Sequence, residues 1–267
     1  MINYHPKKAV ILAAGFGSRL RPLTDLRPKP LVEVNGMPIL HNALRNLEAV
    51  GVEEVTIVVG YRKDAIQYAC GSRFGRLEVN YVESAVFDKT GSAYSLWLAR
   101  EALLQGDCFL LEGDVFFEVN ALRYLTVDDV PNTSAVAPFD ASMEGSAVVL
   151  GDNGYIAEVR MKQTAANLVA GSPQLFKTMN LMRLCSSDLR TKIVPFLDEL
   201  IGTGAVKAYT EELFANLIER RGLRMAAARC DDLRWYEIDS AEDLRVAERI
   251  FAAPVQRFSE AVEARSA

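Results

Sequence analysis

The 267-residue chain is poor in the side chains that bind soft metals or form cross-links. Its four cysteines, Cys70, Cys108, Cys185 and Cys230, include no C-x-x-C pair, and its two histidines are His5 and His41. That argues against a structural zinc site and leaves buried free thiols in a reducing cytosol as the expectation. Long apolar runs are also missing. The run after Lys7 and Lys8 breaks at Gly15, too short for a signal peptide or a membrane span. A soluble, cytoplasmic protein with no membrane partner is expected. There is no basic excess: the formal net charge is −5, which disfavours nucleic acid as a partner and suits a small ligand. We find no internal repeat and no low-complexity linker.

The remainder is ordinary globular composition, half apolar, and long enough for one large domain with a lobe. "KAVILAAG" does not alternate and predicts a strand buried on both faces. "EVTIVVGY", "LEVNYVE" and "DCFLLEGDVFFE" predict further strands. "MPILHNALRNLEAVG", "RKDAIQYAC" and "GSAYSLWLAREALL" predict the helices between them, the last capped by Ser92. This alternation argues for an α/β fold, a Rossmann-like, mostly parallel sheet flanked by helices. After about residue 130 short strands and glycine turns predict a smaller mixed lobe. Two amphipathic helices follow, then a returning strand at "RWYEIDS" and a last helix. The expected organisation is one domain over residues 1–253: core to about 130, lobe to about 230, returning strand and helix over 231–253. Residues 254–267 form a tail.

One stretch, "AAGFGSRLRPLTDLRPKPL" over residues 13–31, directly follows the first strand. It lacks the third glycine of the dinucleotide fingerprint, where Leu20 stands, and it lacks the G-K-[ST] of a P-loop. Gly15 and Gly17 still permit close backbone approach to an anion. Arg19 supplies a planar fork for phosphate oxygens. Lys29, between two prolines, supplies a point charge for negative oxygens developing in phosphoryl or nucleotidyl transfer. Two acidic pairs complete the set. Glu112 and Asp114 end a buried strand, and Glu237 and Asp239 precede the last helix. Their hard oxygens suit Mg²⁺ bridged to triphosphate, although a helix-capping role competes at Asp239.

The stretch "LAAGFGSRLRPLTDLRPKPLVEVNGMPIL" resembles the signature of the sugar-nucleotidyltransferase-like superfamily, which transfers a nucleoside monophosphate from a triphosphate to a phosphorylated acceptor. The "YSL" helix, the E-x-D at Glu112, "KTMN" at Lys177 and the late "WYEID" are similar to small cytidylyltransferases acting on phosphocholine or 2-aminoethylphosphonate. The resemblance implies CTP and a small phosphonate or phosphate acceptor as partners, and Mg²⁺ held by Asp114 and Asp239. Lys29 and Arg19 would be catalytic. Nucleotide contacts would come from Leu12, Ala13, Ala14, Gly15, Gly17, Ser18, Glu83 and Ser92, with Glu83 accepting from the cytosine amine. Acceptor contacts would come from Glu112, Lys177, Glu212, Trp235, Tyr236 and Glu237. Ample acids and no evident aromatic cage favour 2-aminoethylphosphonate over phosphocholine, with a hexose 1-phosphate as the rival sugar acceptor. A homodimer through the second lobe is compatible with the resemblance.

Overall fold

A computed structural model describes residues 5–252; the tail expected beyond them, residues 254–267, lies outside the described residues. Strand β1 (Lys8–Ala13) is the centre of a ten-stranded sheet. Its alternate residues enter different cores. Ala9, Ile11 and Ala13 join one cluster, and Val10 and Leu12 the other. That is the physical reason for its continuous apolar run: both faces are covered.

From β1 the chain passes through helix α1 (Ile39–Ala49) to β2 (Glu54–Val59), then through α2 (Lys63–Cys70) to β3 (Leu77–Glu83). These strands pair in parallel to one side of β1. After α3 (Ser92–Leu98) the chain returns to the other side of β1 as β4 (Cys108–Glu112), again parallel. The direction of winding therefore reverses between β1 and β4; at such a switch point the loops leaving the carboxyl ends part to opposite sides and form a crevice where ligands bind in open α/β sheets.

A short strand β5 (Val115–Phe117) follows the turn after β4. The sheet then becomes mixed. β6 (Thr133–Pro138), β7 (Gly145–Leu150) and β8 (Ile156–Gln163) lead to β9 (Leu175–Leu184), a ten-residue strand buried throughout. β9 runs antiparallel to β7 at its start and to β4 at its end on one side, and to β6 at both ends on the other. The register shifts between Thr178 and Met182, and Asn180 sits there at φ 53°. Asparagine tolerates this left-handed backbone, and the irregularity re-aims the side chains around it. Helix α4 (Thr210–Arg220) covers the second face through Leu213, Phe214 and Leu217. β10 (Ala226–Arg229) pairs with β6, and β11 (Trp235–Glu237) pairs with β5. Helix α5 (Ala241–Ala252) closes the described chain.

Two local expectations change. The helix predicted over "GSAYSLWLAREALL" ends at Leu98 and resumes as Arg100–Leu103. Ser92 is not its cap: Gly91 holds that position and Ser92 is the first helical residue. All four cysteines are buried and free. Among the described residues no helix is long and apolar enough to cross a membrane.

Candidate functional site

The crevice between β1 and β4 gathers most of the sequence-predicted residues. Leu12 and Ala13 at the end of β1 and Ala14 after it are buried, and the Leu12 and Ala14 carbonyls accept from the Gly113 and Tyr61 amides. Gly15 and Ser18 are exposed. Gly17 has φ +62°, and a Cβ there would lie 2.7 Å from Lys29 Cβ. Glycine is thus required twice over, for the left-handed turn and for the lysine stem that passes against it. The Thr24 hydroxyl ties the turn down by donating to the Gly17 carbonyl at 2.9 Å.

Lys29 opens a short helical turn, Lys29–Leu31, between its two prolines. Its ammonium donates to Asp114 Oδ2 at 2.8 Å and to Asp239 Oδ1 at 2.5 Å. Arg19, itself mostly exposed, reaches Asp239 Oδ2 at 2.9 Å. Residues 19, 29, 114 and 239 therefore form one ion cluster. Burial pulls the Lys29 ammonium down, but the charges of Asp114 and Asp239 outweigh it and hold it above its ordinary value. Burial pushes Asp239 up, and the charge and hydrogen bond of Lys29, with Arg19, overcome it and hold the carboxyl below its ordinary value.

The competing cap role at Asp239 is filled by its neighbours. Asp243 Oδ2 accepts from the Ser240 amide at 2.7 Å, and the Asp243 amide donates back to Ser240 Oγ at 3.2 Å. This reciprocal pair caps α5 and frees the Asp239 side chain for the cluster. Asp114 Oδ1 is buried without a hydrogen-bond partner. Two carboxylates converging on one cation, with a spare buried oxygen, fit Mg²⁺, which takes one or two carboxylates and completes its shell from phosphate and water.

A second cluster lies beside the first. Glu112 Oε1 accepts from the Thr210 hydroxyl at 2.5 Å, and Glu211 Oε2 lies 3.1 Å from the same hydroxyl. Ser146 Oγ donates to Glu211 at 3.2 Å. Burial pushes the Glu112 carboxyl well above its ordinary value, and Glu211 and Asp114 add to it. Thr210 is held in turn by Ser92, whose Oγ accepts the Thr210 amide at 2.9 Å. Gly91 makes this docking possible, because a Cβ there would lie 2.2 Å from the Ala208 carbonyl. Glu237 forms the third side. It pairs with buried Lys177 at 2.7 Å and lies 3.4 Å from Asn180 Nδ2. Burial raises its carboxyl, opposed by Lys177 and assisted by Asp114 and Asp239.

Four of the expected site residues are engaged elsewhere in the structure. Glu212 does not face the acids; it accepts from the Tyr209 amide at 3.2 Å at the start of α4, and Glu211 takes the inward place. Tyr236 lies on the opposite face of β11 from Glu237, against the core of Leu20, Phe116 and Ile238. Trp235 packs on the main core beside Phe117. Glu83, at the end of β3, is half exposed and paired to Lys63 at 2.6 Å. The sequence reading also passed over Thr210, whose signal was a hydroxyl immediately before two acids at a helix start.

Residues 8–136 match the Nucleotidyl transferase family. The chain is 36% identical over 251 residues, 93% of its own length, to CMP-5'-(3-aminopropyl)phosphonate synthase of Streptomyces rubellomurinus. It is 36% identical over 118 residues, 42% of its length, to 2-aminoethylphosphonate cytidylyltransferase of Lancefieldella rimae. It spans 39% and 45% of those two proteins. The CTP:phosphocholine cytidylyltransferase of Streptococcus pneumoniae superposes with a TM-score of 0.74 at 25% identity, covering 91% of this chain and 98% of that one. The stretch similar to the Nucleotidyl transferase family takes in β1, the loop carrying Arg19 and Lys29, and Asp114.

Proposed function

We propose that the chain transfers CMP from CTP to a small phosphonate bearing a primary amine, 2-aminoethylphosphonate being the leading acceptor. An acceptor phosphonate oxygen attacks the α-phosphorus in line, a new P–O–P bond forms, the α–β bridge breaks, and pyrophosphate leaves. In this reading residues 1–130 hold the nucleotide, residues 131–230 supply the acceptor side, and residues 231–253 return Asp239 to the crevice. Lys29 and Arg19 bind and neutralise phosphate oxygens. Asp114 and Asp239 would hold Mg²⁺, which when bound supplies further charge neutralisation at the phosphates.

One observation carries the choice of acceptor: Glu112 and Glu211 share the Thr210 hydroxyl, and among the described residues neither forms an ion pair. A primary ammonium donates three hydrogen bonds and matches two carboxylates and a hydroxyl. A quaternary ammonium donates none and would want aromatic faces, whereas Trp235 and Tyr236 are turned to opposite cores. The related synthase and cytidylyltransferase support the same class. Reading of cytosine by Glu83 would require Lys63 to release it.

Pyrophosphate release by the purified protein with Mg²⁺ tests the proposal. CTP with 2-aminoethylphosphonate is expected to turn over faster than CTP with phosphocholine. A preference for phosphocholine would remove the amine assignment. Turnover with UTP and glucose 1-phosphate, and none with CTP and any amine acceptor, would overturn the whole reading.

A further inference from the structure

Lys29 stands at the point where the two candidate metal carboxylates converge. Its Nζ is within hydrogen-bond distance of both Asp114 Oδ2 and Asp239 Oδ1, so no divalent ion can take that position while the ammonium is there. The fit is incomplete. An ammonium donates three hydrogen bonds, and Asp114 Oδ1 stays buried with no partner. The carboxylates thus offer more acceptor capacity than the lysine uses, as a cation with a larger coordination shell would need.

The rest of the lysine is placed for movement of its tip alone. Its stem lies against Gly17, with Cβ and Cδ both close to where a Gly17 Cβ would stand. Gly15 and Ser18 of that loop are exposed. Rotation of the outer bonds would carry the ammonium from the carboxylates toward the loop without moving the backbone.

We propose that Lys29 acts as a resident cation that closes the metal site of the free protein and yields it only when a triphosphate gives the ammonium a new anionic partner. Metal and nucleotide then enter together, and the site selects the metal–triphosphate complex over free metal. This rests on the nucleotidyl-transfer reading for the identity of the triphosphate, but not for the competition between lysine and metal.

The test measures Mn²⁺ binding to the full chain without nucleotide, by electron paramagnetic resonance of the free ion. Wild type is expected to bind weakly, and Lys29→Met about tenfold or more tightly, because two converging carboxylates are left without their cation. The melting temperature of Lys29→Met should rise with Mg²⁺ alone. That of wild type should rise only with Mg²⁺ and CTP together. Equal Mn²⁺ affinity in the two proteins would overturn the proposal. So would a rise in wild-type melting temperature with Mg²⁺ alone, a measurement that stands even if Lys29→Met does not fold. Neither result touches the acceptor assay, so failure of the exchange and failure of the transferase reading are separable.

Discussion

At the scale of the residue, charge placement decides most of the chemistry. Lys29→Ala and Asp114→Ala should each lower turnover by about 100-fold or more, with circular dichroism and melting confirming that the fold survives. Glu112 makes a different prediction, about stability. Its folded carboxyl holds its proton above the ordinary value of 4.5. Stability from this group is therefore full below the unfolded value and is lost as pH rises through the folded one. Glu112→Gln should raise the melting temperature of the ligand-free protein at neutral pH, and the gain should vanish near about pH 4. A melting-temperature series across pH in both proteins checks the sign. Lys29, Arg19 and Asp114 stood out in the sequence as charged residues near glycine turns, and the structure brings them together in one ion cluster. Glu211 and Glu212 were not separable. Both precede the same apolar helix face, and only the docking of Thr210 on Ser92 shows which one turns inward.

At the scale of the element, helix starts position the site. Thr210 opens α4 and links Glu112 to Glu211. Thr210→Val keeps the shape and removes the shared hydroxyl. The KM for the amine acceptor should rise about tenfold while the KM for CTP stays near wild type, since a lost hydrogen bond to a charged group is worth ~1.5–3 kcal/mol. A rise in both would place Thr210 in general folding instead. At α5 the Ser240–Asp243 pair is the cap. Asp243→Ala should cost about 1 kcal/mol in urea unfolding. Most strands and helices were legible because their apolar periods are clear. The break at Ala99 was not, since the residues around it read as continuous helix. The kink at Asn180 carries no local warning either, because it serves the change of strand partners along β9.

At the scale of the whole molecule, β9 joins the mixed half of the sheet to the parallel half. Its fully buried Arg183 donates to the carbonyls of Leu125 and Val130, each at 2.6 Å, and so ties the segment before β6 to the sheet. Arg183→Met should lower unfolding free energy by about 2–4 kcal/mol, because buried carbonyls lose their donors. Chemical denaturation measures this, with pyrophosphate release in the remaining folded fraction as the companion readout. By itself the sequence determined the α/β class, the glycine loop after the first strand and the residue types around it, since periodicity, glycine and charge are local properties. Only the tertiary structure decided which acids meet. Asp239 lies 210 residues from Lys29 in the chain and Thr210 lies 98 from Glu112. Such contacts depend on strand order, on the close approach allowed at Gly91 and on which face of β11 turns inward. None of these is written in the neighbourhood of any one residue.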